Sequence, residues 1–318
     1  MSGTRRGSVV VASALVVLIV AASLTLLGCG AGHAYWTVNA VPIGGGSVTT
    51  LAILRRPPWS VAADGTHVYW STEDRAVNEV PIGGGKVTVV ASHQDAPDSV
   101  AVDSAHVYWV NTYGGTVNEV PRDGGRVTVL ARHQSNPYSL AVDGAHVYWS
   151  NLDGTVKEVP LDGGRVSTLA SRQNQPYSVA VDGTHVYWVN GRDRTGGGIV
   201  KGVPLSGGHV TSLVRGQGHI FSLAVNGTHA YWVNPYRGTV NEVPVGGGHV
   251  TVLAGHQNFP LRLAVDGTHV YWIDARGGTV NEVPFGGGRV TVLARHQSDP
   301  EWLAVDGTHI YWVTSHYP

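Results

Sequence analysis

"VAVDSAHVYWVNTYGGTVNEVPRDGGRVTVLA", residues 100–131, is the stretch from which the fold can be read. It holds four short β-like runs: "VAVD", "HVYWVN", "TVNEVP" and "VTVLA". The pair "SA" separates the first two runs, and the glycine turn "RDGG" separates the last two. Glycine supplies the positive backbone angles of tight turns, so these joints read as hairpins. β-branched and aromatic residues fill the runs, as strands prefer. The unit then returns along the chain. Trp70, Trp109, Trp149, Trp188, Trp232, Trp272 and Trp312 are spaced by 39, 40, 39, 44, 40 and 40 residues. Four strands in each unit of roughly 40 residues are the signature of a propeller blade.

The count sets the size of the ring. The first run occurs seven times, from Val61 through Val100, Leu140, Val179, Leu223 and Leu263 to Leu303. The third occurs seven times, from "TVNAVP" at 37 to "TVNEVP" at 279, and so does the fourth, from "VTTLA" at 48 to "VTVLA" at 290. The chain therefore opens on a third and fourth run and ends on a first and second. The expected fold is all-β: a seven-bladed β-propeller of four-stranded blades, closed by a two-plus-two blade from the N- and C-terminal strands. Residues 309–313 should pair beside 37–42, which hides two sheet edges. An eighth Tyr-Trp pair, Tyr35-Trp36, stands directly before "TVNAVP". An extension of the closing strand is the reading it allows.

The repeated residues read as scaffold. A strand buried on both faces is a near-continuous apolar run, and "VYWV" is one. Each Trp is expected to fill the gap between adjacent blades. The aspartates at 103, 143, 182, 266 and 306 end the first run, where a turn suits them. The seven histidines from His67 to His309 follow that turn, one per unit, and read as local hydrogen-bonding residues. A metal ring is not expected, because whole blades would separate ligands that must converge within a few ångströms. No metal and no cofactor are therefore expected. "HQ", repeated at 93, 133, 256 and 296, reads as structural on the loop-bearing face. "GGGKVT" at 83 lacks the spacing of a phosphate loop, and HExxH, GxSxG and CxxC do not occur.

The 318-residue chain carries 14% charged residues and a net charge of -1. No basic stripe runs along it, so nucleic acid is not an expected partner. The start differs from the rest. Arg5 and Arg6 precede an apolar run from Val9 to Leu27, and "LLGCG" follows at 26–30. A basic start, an apolar core and small residues read as a secretory signal. Cys29, the chain's single cysteine, stands after "LLG" and resembles the lipobox of bacterial lipoproteins. The expected division is 1–28 signal peptide with lipobox, 29–34 short lipid-anchored tether and 35–318 propeller. By that resemblance Cys29 is lipidated. The protein is then exported and held at a bacterial outer membrane or cell surface through the lipid alone, and a monomer is expected.

"LAVDGTHIYWVT" at 303, with its preceding proline, and the "GTVNEVP" that follows in the other units also resemble the YWTD-type propeller repeats of the low-density-lipoprotein receptor family. The likeness covers nearly all of residues 35–318. That family's propeller has six blades where this chain counts seven, and Asn111 and Asn190 stand where the motif ends in Asp. No cysteine-rich flanking module is present, so receptor-type function is not implied.

Function is sought where the repeat breaks. Invariant positions report packing, whereas loop ends on a rigid scaffold carry binding. The residue that opens the innermost strand reads, around the ring, Trp59, Asp98, Tyr138, Tyr177, Phe221, Leu261 and Glu301. The next position is serine in five units but Arg262 and Trp302 in the last two. Trp59 and Trp302 fall in units that become neighbours on closure. Both lie outside the Tyr-Trp pattern, so their replacement is expected to spare the fold. These nine residues form a candidate site at the channel mouth, for an unidentified protein or a small polar ligand. The same side chains could merely plug the channel. With no catalytic motif, a binding module is placed ahead of a propeller hydrolase or lyase. The enzyme reading would draw on Glu301 and Asp98 with His219 and His256 nearby.

Overall fold

A computed structural model describes residues 34–191 and 197–317. The proposed signal segment and Cys29 lie outside them. Every regular element among the described residues is a β-strand, and the strands form seven four-stranded antiparallel sheets. In a typical blade, Pro97–Val102 lies innermost, followed outward by His106–Asn111, Thr116–Pro121 and Thr128–Ala131. Each innermost strand touches the next around the ring, and Pro300–Val305 touches Pro58–Ala63. The propeller body spans Ala34–His316.

The seventh sheet is the expected composite. Its order is Thr49–Leu54, Tyr35–Pro42, His309–His316 and Pro300–Val305. The closing register runs from Tyr35 opposite His316 to Pro42 opposite His309. Tyr35 and Trp36 thus lengthen the closing strand, and the Tyr35 ring stacks on His316 at 4.6 Å. The seam gathers threonine–asparagine contacts of the kind that other blades make, such as Asn78 to Thr72 and Asn118 to Thr116. Thr37 Oγ1 and Thr314 Oγ1 are 2.6 Å apart, and Asn39 donates to Thr314 Oγ1 at 3.1 Å.

The repeated tryptophans and tyrosines divide the packing. On the second strand they are consecutive, so they point to opposite faces of the sheet. Trp109 packs with Tyr69, Val77 and Ala91 of the preceding blade, while Tyr108 packs with Leu140 and Trp149 of the following one. All seven of these tryptophans are at most 1% exposed. Burying an indole of about 150–250 Å² contributes on the order of 4–6 kcal/mol at each seam.

The aspartate has a triple role that only the structure shows. Asp306 Oδ1 accepts the backbone N–H groups of Thr308 and His309 at 2.8 and 2.9 Å, which builds the turn. Its Oδ2 accepts the Tyr311 hydroxyl at 2.6 Å. Burial pushes this carboxyl up, but those hydrogen bonds outweigh it and hold it below its ordinary value. Asn226 replaces the aspartate in one blade. There the amide donates to Tyr231 Oη at 2.9 Å, so the bond survives with its direction reversed. The histidines fit their expected local role: His185 Nδ1 lies 2.8 Å from Thr184 Oγ1, and its ring leans on Tyr187.

"HQ" is a seam latch. Gln94 donates its backbone N–H to Arg75 O of one blade at 2.9 Å and accepts Trp109 Nε1–H of the next at 3.0 Å. The histidine before it takes a left-handed φ of 57–59° in all four copies. In later copies the approaching turn residue is glycine. At Gly115 a Cβ would lie 2.6 Å from Gln134 O, so no side chain fits.

Candidate functional site

Serine at the second position of the innermost strand stitches blade to blade. Ser60 Oγ accepts Val100 N–H at 2.9 Å, Ser99 that of Leu140 at 3.0 Å, and Ser139 that of Val179 at 2.9 Å. Ser178 accepts from Leu223 at 2.9 Å and Ser222 from Leu263 at 3.3 Å. The two remaining seams hold Arg262 and Trp302 in place of serine. Trp302 reverses the polarity and donates Nε1–H to Pro58 O at 2.9 Å. The Arg262 guanidinium lies 3.8 Å from the Trp302 ring centroid and 4.9 Å from that of Phe221.

Arg262 also acts across the channel. Burial lowers its pKa from the ordinary value, and the opposing influences come from Tyr138, Asp98 and Glu301 on three different blades. Asp98 is pushed up to about 6 by burial, against the pull of Ser99 N–H and of the Arg262 charge. Glu301 is pushed up to about 7 by burial, which Arg262 opposes and Asp299 reinforces. Tyr138 is raised by burial and then by Asp98, and Tyr177 is raised by burial and then by Tyr138. The ion pairs of the described residues are Arg56–Glu73, Arg75–Asp95 and Arg122–Asp64, so Arg262 interacts with Asp98 and Glu301 only at longer range. No hydrogen bond within the described protein uses the Arg262 guanidinium, and no two titratable side chains of the mouth share one.

The nine residues are thus not equivalent. Asp98, Tyr138, Tyr177, Phe221, Arg262, Glu301 and Trp302 form one coupled group. Leu261 is 8% exposed and packs into the core with Tyr271 and Trp312. Trp302 has a second occupation. It packs against the cluster around Val38, Val61 and Trp70 as well as facing Arg262, so it belongs to the seam it was expected to stand outside. Trp59 lines a neighbouring cleft of about 210 Å³ with Glu73, Arg75, Asp95 and Tyr113. Tyr113 is 75% exposed. Arg75 takes a φ of +68° at the position where five other blades carry glycine.

A second feature escaped sequence reading. A line of rings and cations runs from the rim to the mouth. Arg276 lies 4.3 Å over Phe259, whose ring meets Tyr236 edge-on at 5.8 Å. Tyr236 meets His219 at 5.3 Å, and His219 stacks on Phe221 at 6.4 Å, which leads to Arg262. Residues 219, 236, 259 and 276 sit in loops that differ between units, so the same search for breaks in the repeat would have reached them. No group of three or more metal-ligating side chains is assembled among the described residues.

No family model and no curated protein matches the chain. Solved structures share its fold. A structure of the nidogen/laminin complex is 18% identical with a TM-score of 0.58, covering 80% of this chain and 99% of that one. Streptogramin B lyase is 9% identical with a TM-score of 0.65, covering 88% and 98%. The computationally designed Ika8 protein is 21% identical with a TM-score of 0.64, covering 83% and 86%. At these identities the likeness is one of fold.

Proposed function

We propose that this propeller is a binding module and that its recognition site is the channel mouth around Arg262 and Trp302. One observation carries the reading. The serine stitching that serves five seams is given up at two adjacent ones, and the arginine placed there spends no hydrogen-bond donor on the protein. Indoles and arginines in semi-enclosed positions are the residue types that most often dominate recognition energy. A complex between nidogen and laminin shares the fold, which is in keeping with a propeller that serves association. We further propose that Cys29 carries lipid and tethers the propeller outside the cell, and that the chain is a cell-surface relative of the YWTD-type propellers.

A propeller lyase or hydrolase is the second reading. It is favoured by Glu301, whose carboxyl near 7 suits a general acid or base, and streptogramin B lyase shows that enzymes use this fold. It stands second because Glu301 shares no hydrogen bond with another titratable side chain of the mouth. Soaking crystals with a library of small charged and neutral aromatic fragments tests the first reading. Fragments should gather against Arg262 and Trp302. An empty mouth, with fragments in the cleft of about 290 Å³ beside His185 and Leu213 on the opposite face, would place recognition elsewhere.

A further inference from the structure

We infer that the ligand of the mouth is an anion: a carboxylate on a flat apolar body, received by the fork of Arg262. The inference rests on the binding reading above and narrows it.

The argument begins with the guanidinium. It has five N–H donors in one plane and no way to discard its charge. Trp302 at 3.8 Å and Phe221 at 4.9 Å hold the group in place. A stacked guanidinium loses little further freedom when a carboxylate docks on its edge. The side chain is half-buried, and no described donor bond or ion pair engages it, so its N–H edge is open to a ligand. Charge-assisted bonds made two at a time are stronger and more directional than single neutral ones, so a partner that meets two of these donors at once gains most. The apolar arc of Tyr138, Tyr177 and Phe221 offers the body of such a ligand its surface. Tyr177 has already turned its hydroxyl away, donating to Ile220 O at 2.5 Å.

Asp98 and Glu301 invite the opposite idea, a cation receptor. The guanidinium already supplies the positive charge that faces both of them. They instead make anion binding sensitive to pH. The charged and titratable groups facing Arg262 are Tyr138, Asp98 and Glu301; Glu301 also feels Asp299. An arriving carboxylate is repelled by ionised Glu301 and Asp98 and tolerated once they are protonated. Affinity should therefore be greatest below the range of Asp98 and Glu301, about 6 to 7, and fall as pH rises through it.

Three probes of one shape decide the matter by calorimetric titration: benzoate, benzamide and benzylammonium. Benzoate should bind at least about tenfold more tightly than either of the others. Its affinity should fall at least about threefold between about pH 6 and pH 8. Arg262→Gln should abolish the preference. Glu301→Gln should tighten benzoate at pH 8 and flatten the pH dependence, and it decides the case if Arg262→Gln does not fold. Benzamide or benzylammonium binding as well as benzoate overturns the anion inference. If Trp302→Ala still weakens that binding, the mouth remains the site. Benzoate that fails to bind, or whose binding is unchanged by Arg262→Gln, also overturns it. Unchanged binding in both Arg262→Gln and Trp302→Ala removes the mouth reading too.

Discussion

Each repeated residue answers a demand for partners. The aspartate caps two backbone donors and a tyrosine hydroxyl at once. Asp306→Ala should therefore cost about 2–3 kcal/mol in a denaturant melt, because it removes three hydrogen bonds at once, one of them to the hydroxyl of the buried Tyr311. Asp306→Asn should cost less than about 1 kcal/mol, since Asn226 already fills the role in another blade. The glutamate of "TVNEVP" behaves in the other sense. Glu119 Oε2 is buried without a hydrogen-bond partner, and burial pushes its carboxyl up, which His106 only partly opposes. A carboxyl raised in the folded state favours folding below its unfolded value, and that contribution is lost as pH rises through the folded value. Glu119→Gln should then raise the melting temperature at pH 7.5 and leave it nearly unchanged at pH 4. An equal gain at both pH values would mean that charge is not the cause.

Elements carry the seams, and here the sequence was most legible. Strand number, ring size and the closing pair follow from a period of about 40 residues, because identical blades must bury identical faces. Trp109→Ala should cost about 3–5 kcal/mol, as for other large core truncations. Deleting residues 303–318 strips Tyr35–Pro42 of its partner strand and should cause aggregation or a large loss of stability. A truncated chain that melts like the full one would contradict ring closure. The site was legible only in part. The breaks at Arg262 and Trp302 stand out in the sequence, but where their side chains go does not. The register slips between Pro260 and Leu263 and between Pro300 and Leu303. A bulge interrupts the alternation of a strand, so sequence position alone placed Leu261 at the channel mouth with Arg262, whereas it packs in the core. Trp302 was read as free of packing for the same reason, and Trp302→Ala should cost about 2 kcal/mol.

At the scale of the whole molecule, a sevenfold scaffold supplies rigidity and two broken seams supply direction. The proposed tether at Cys29 would set that scaffold at a membrane. Mass spectrometry of the native protein should find a lipid-bearing N-terminal cysteine, and an intact Met1 with unmodified Cys29 would refute it. The central claim is that the broken seams exist for recognition rather than packing, and one variant separates the two. Arg262→Ser combined with Trp302→Ser restores serine to all seven seams. It should fold, with the two new serines taking up the stitching bonds that their five counterparts make. The most direct measurement is a calorimetric titration of the tightest mouth-binding fragment into this variant and into the wild type. The account predicts an affinity at least about thirtyfold weaker in the folded variant, the ratio that matches a hot-spot loss of about 2 kcal/mol. A folded variant that binds as tightly as the wild type would show that Arg262 and Trp302 only fill the channel.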